Sequence, residues 1–65
     1  MGYAMPATAI LREARKLHKV STSLDTLAGQ HPHISDALIQ ISGSIRNTAT
    51  LLQVLVVMKI GTLPN

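Results

Sequence analysis

Cysteine is absent from the 65-residue chain, so neither disulfide staples nor thiolate metal sites can hold it together. Phenylalanine and tryptophan are absent too, and tyrosine occurs once, at Tyr3. A core built from this sequence must be aliphatic, which suits helix packed on helix. Acidic residues number three, Glu13, Asp25 and Asp36. They are spread along the chain, and no hydroxyl shares with a histidine and an acid the spacing of an activated nucleophile. No Gly-rich phosphate loop occurs. No enzyme is therefore expected, and no cofactor. Nor is there a long hydrophobic run: Thr50 to Ile60, the most apolar stretch, covers 11 residues, short of the ~20 that cross a bilayer. The N-terminus lacks the basic, apolar, small order of a signal peptide. A soluble cytoplasmic protein without membrane contact is the expectation.

What the chain does have is a seven-residue rhythm. One series in the first half reads Ala7, Ala14, Ser21, Ala28, and its companion reads Tyr3, Ile10, Leu17, Leu24. The second half carries Ile34, Ile41, Thr48, Leu55 beside Leu38, Ile45, Leu52. Such spacing keeps one helical face apolar over several turns. Pro6 suits a first helical turn, Gly29 a left-handed cap, and Pro32 a second start. Ser35 and Asp36 then sit where acceptors and negative charge are favoured. Gly61 and Pro64 mark the end. The sequence thus predicts an all-α fold of one domain over 1–65. Its antiparallel helices span about 6–28 and 32–59, between irregular tails at 1–5 and 61–65. Gly43 costs roughly 1 kcal/mol inside a helix, but the stripe keeps its phase across it, so one continuous second helix is expected.

Pairing the helices so that facing residue numbers add to about 62 sets Ala28 near Ile34, Ser21 near Ile41, Ala14 near Thr48 and Ala7 near Leu55. Small residues would then meet large ones. The shared stripe comprises Ile10, Leu17, Leu24, Ile34, Leu38, Ile41, Ile45, Leu52 and Leu55. Further apolar residues flank it, and the last turns of helix 2 are apolar nearly all round. Val54, Val56, Val57 and Ile60 form a candidate surface for a protein partner. Two helices alone are too thin to bury so much, so self-association into a homodimeric four-helix bundle is predicted.

Three polar groups remain. Arg12, Arg15, Lys16 and Lys19 follow helical spacing opposite the stripe and make a candidate phosphate-tracking ridge, or else a solvated outer face. A net charge of +3 does not by itself demand a nucleic-acid partner. His31, His33 and Asp36 are weak candidates for a nitrogen and oxygen metal site in a polar turn, where none is expected. His18, beside the stripe, is expected to be half buried. The alternation of small and large layers resembles, in architecture only, the Rop-type hairpin dimers that grip RNA; no residue motif matches. The reading that follows is a small structural or interaction protein of unknown process that dimerises through its aliphatic stripes. The alternative is a small dimeric RNA- or DNA-binding protein using the basic face of helix 1.

Overall fold

The computed structural model describes residues 7–61, with the side chains of Ile60 and Gly61 left aside. Helix α1 runs Ala7–Gln30, a 3₁₀ turn covers Pro32–Ile34, helix α2 runs Ser35–Val56, and a π-helical turn, Val57–Gly61, continues it. The two helices pack antiparallel into a body 50 × 20 × 13 Å in extent. The expected tail at 1–5, with Pro6 and Tyr3, and residues 62–65 lie outside the described residues; Gly61 falls in the final turn.

The ends of the helices follow local chemistry. Helix α1 extends two residues past the expected stop: Gly29 lies inside it, and neither Gly29 nor Gly43 takes a positive φ. A left-handed cap is not needed, because the His31 N–H reaches the Ala28 carbonyl at 3.3 Å and closes the last turn. Pro32 opens the next turn, and the Ile34 N–H bonds to the His31 carbonyl at 3.0 Å. Asp36 sits in the first turn of α2, where its charge opposes the positive helix end. Helix α2 passes through Gly43 without a break, as the unbroken stripe requires.

The seam is made of the smallest residues. Ala14, Ser21 and Ala28 of α1 are buried, as are Ser42, Ala49 and Val56 of α2. Each set repeats every seven residues, so both helices turn the same narrow ridge inward. Ser21 and Ser42 join across the seam with hydroxyl oxygens 3.0 Å apart. Facing numbers therefore add to 63, which sets Ala14 against Ala49 and Ala28 against Ser35. The expected register is corrected by one residue: Ile34, Ile41 and Leu55 are 44%, 52% and 46% exposed, not at the seam. The physical reason is proximity. Ala and Ser lack the bulk to hold backbones apart, so small faces small at the line of closest approach, and larger aliphatics are pushed to the side. Ile10, Leu17, Leu24, Leu38, Ile45 and Leu52 are accordingly half-buried beside the seam.

Candidate interaction face

The seam divides the slab into two broad faces of opposite character. On one, His18 Nε2 lies 3.4 Å from Gln53 Oε1, and an Arg46 Nη2 donor meets Asp25 Oδ2 at 2.5 Å. His18 and Asp25 are seven apart, as are Arg46 and Gln53, so the same helical position supplies every member of this polar zipper. His18 is partly buried, as expected. The Asp25 carboxyl is held below its ordinary range; with the Ser42 proton given to the Ser21 carbonyl, the Arg46 guanidinium is the donor that holds it there. Ile39 lies exposed at the loop end of this face.

The other broad face is aliphatic. Helical residues turn about 100° each, so positions three after or four before a seam residue fall on this side, while those four after it carry the polar zipper. The former are the half-buried Ile10, Leu17, Leu24, Leu38, Ile45 and Leu52. Beyond them stand Val20, Leu27, Ile34, Ile41 and Leu55, all between 41% and 52% exposed. Thr48 completes the row, and its hydroxyl donates to the Ser44 carbonyl at 3.0 Å, which occupies its proton. Exposed Leu51 borders the same face. At the open end of the hairpin this face carries an apolar hollow of about 450 Å³, lined by Ala9, Ile10, Glu13 and Leu52.

The other sequence-predicted residues are placed as follows. Arg12, Arg15, Lys16 and Lys19 are all exposed on the outer side of α1. Lys16 is joined to Glu13 at 3.1 Å, which leaves the ridge partly neutralised. His31 and His33 stand edge to face with ring centroids 6.3 Å apart. Among the described residues, no group of three His, Cys, Asp or Glu side chains gathers into a metal site. Of the expected partner surface, Val54 and Val57 are exposed, whereas Val56 is 5% exposed. Val56 is corrected to a seam residue, because it continues the Ser42, Ala49 series; Ile60 lies outside the described side chains. The whole of Pro32–Lys59, 28 residues, is long and apolar enough to cross a membrane by length and composition alone. The sequence reading weighed only its apolar end. That criterion is also met by core helices.

Sequence reasoning missed the polar zipper and the serine pair. The signal was present, since polar residues seven apart occur at matching positions of both helices. No family model, curated protein or solved structure matches this chain.

Proposed function

We propose that this chain is a small structural, interaction protein whose aliphatic face is covered by a second copy, giving a four-helix bundle. The observation that carries the reading is the inequality of the two faces. One is closed by ion-pair and hydrogen-bond crosslinks. The other leaves six seam-side aliphatics half covered, with five more exposed alongside. A largely apolar face of this kind, broken only by Thr48 and by Glu13 at its end, fits a recognition surface better than ordinary protein exterior.

The size of the face fits a second copy. It is 20 Å wide, and the paired helices run for about 36 Å at ~1.5 Å per residue. That offers roughly 700 Å² per copy, close to the ~800 Å² per partner of a standard interface. Lone hairpins of this length bury too little to be comfortable alone, and pairing supplies the missing core. Val54 of α2 and Val57 of the turn after it, both exposed, remain available to a further protein partner.

The test is mass in solution. Sedimentation equilibrium at micromolar concentration should give twice the 7.0 kDa of the chain. Ile41→Asp places a charge mid-face, so it should abolish the dimer. A helical wild-type particle of 7.0 kDa, or an undiminished Ile41→Asp dimer, would refute the reading.

A further inference from the structure

Charge is divided along the hairpin. Between residues 20 and 45, the loop-end part, there is no lysine or arginine, and the acids Asp25 and Asp36 lie there. All six lysines and arginines belong to the open-end part, with Glu13 the one acid among them. The loop end is therefore −2 and the open end +5, which make up the net +3. Among the described residues, ion pairs take up Lys16 and Arg46, whereas Arg12, Arg15, Lys19 and Lys59 are exposed outside them. The same end carries a second feature. Leu51, Val54, Leu55, Val57 and Met58 are 43% to 62% exposed. At ~100° per residue they cover an arc of roughly 160° opposite the seam residue Val56. Val54 and Val57 lie outside the face given to the second copy. We propose that this open end binds an anionic lipid surface, its apolar tip entering one leaflet and its arginines and lysines meeting the lipid phosphates.

The levels along the axis fit such a surface. Residues 51–58 and the facing residues 7–11 of α1 carry no charge. At ~1.5 Å per residue they form a band about 10 Å deep, the depth to which an interfacial helix enters the headgroup boundary. The cations begin at its edge. Facing numbers that add to 63 put Arg12 level with Leu51, and Arg15 and Lys19 stand about 5 and 10 Å farther from the tip. An anionic surface field, which decays over ~10 Å, reaches them there. Lys59 lies nearer the tip, at the flank of the apolar arc, and its long stem turns the ammonium back toward the headgroups. The expectation of no membrane contact rested on the length of the apolar run, and attachment to one leaflet needs no spanning length. A nucleic acid would use the cations but leave the apolar tip idle, and the chain has no phenylalanine or tryptophan to stack on bases.

Lipid attachment at this end does not require the second copy, so its failure and that of self-association are read separately. Cosedimentation with vesicles measures it. Vesicles of phosphatidylcholine mixed with phosphatidylserine should bind the chain at least about tenfold more tightly than phosphatidylcholine alone, and added salt should weaken that binding. Arg12→Gln combined with Arg15→Gln should weaken it roughly 25-fold, about fivefold for each cation. Val57→Asp should abolish it while helicity and mass in solution stay those of the wild type, since Val57 is exposed outside the seam and the aliphatic face. Because the chain has no tryptophan, a single Val54→Trp reports insertion. Its emission should shift to the blue on the anionic vesicles. Gln40→Trp, exposed two heptads nearer the loop on the same side of α2, should not shift. Equal binding to both kinds of vesicle, no binding at low salt, or binding without the Val54→Trp shift overturns the proposal. Binding of generic RNA that survives Val57→Asp, with no vesicle binding, assigns the cations to nucleic acid and overturns it equally.

Discussion

The Ser21–Ser42 pair gives the sharpest energetic test of the seam. Both residues are fully buried. The Ser42 hydroxyl donates to the Ser21 carbonyl at 2.9 Å, so its single proton is committed there. The Ser21 hydroxyl must then donate to Ser42 Oγ across 3.0 Å. Ser42→Ala deletes both bonds, along with a longer one that Ser42 Oγ accepts from Arg46 Nη2 at 3.5 Å, and strands the Ser21 hydroxyl in a dry seam. At ~1 kcal/mol per hydrogen bond, and more for a buried group left unpaired, the cost should be about 2 kcal/mol. Ser21→Ala removes one bond and leaves Ser42 its carbonyl acceptor, so about 1 kcal/mol is expected. The double variant replaces both hydroxyls with methyls in a seam already suited to alanine, and nothing is left unpaired. It should therefore cost no more than Ser42→Ala alone, which is a coupling of roughly 1 kcal/mol. Urea unfolding followed by circular dichroism measures all four corners, with protein concentration held fixed because association adds to apparent stability. Strict additivity of the two single changes would refute the reciprocal bonding.

Three further changes probe other parts of the design. Ala14→Leu adds bulk at a fully buried seam position, so it should destabilise by about 1–3 kcal/mol in the same unfolding assay. Gly43→Ala meets nothing within 4 Å of the new Cβ and sits inside a continuous helix, so it should stabilise by up to ~1 kcal/mol; a loss would refute that continuity. The Asp25 carboxyl titrates below its ordinary 3.8 in the folded chain, so the unfolded state takes up its proton first. Its stabilisation is then complete above that value and fades as pH falls through the folded value; the acid limb of a stability–pH curve should flatten in Asp25→Asn.

The helical class, the two-helix order and the phase of α1 were legible because Ala7, Ala14, Ser21 and Ala28 and their companions leave one assignment open. Helix α2 was legible only to within one residue. Its apolar arc is wide enough to admit two phases, and ranking residues by hydrophobicity favours Ile34, Ile41 and Leu55 over Ser42 and Ala49. Backbone approach is governed by size instead, so the small series takes the seam. The same ranking put Val56 on the surface. The polar zipper escaped notice because His18, Asp25, Arg46 and Gln53 look like ordinary solvated residues until a register places them opposite one another. Gly29 misled for a different reason: its left-handed freedom is an option that the helix did not need once His31 closed the turn.

The contrast between the two sides of this slab bears on how far assembly can run. A plate adhesive on both surfaces stacks without limit, whereas one coated on a single surface is spent after its first encounter. If the aliphatic side pairs as proposed, closing the other with His18, Gln53, Asp25 and Arg46 would limit growth as well as hold two helices together.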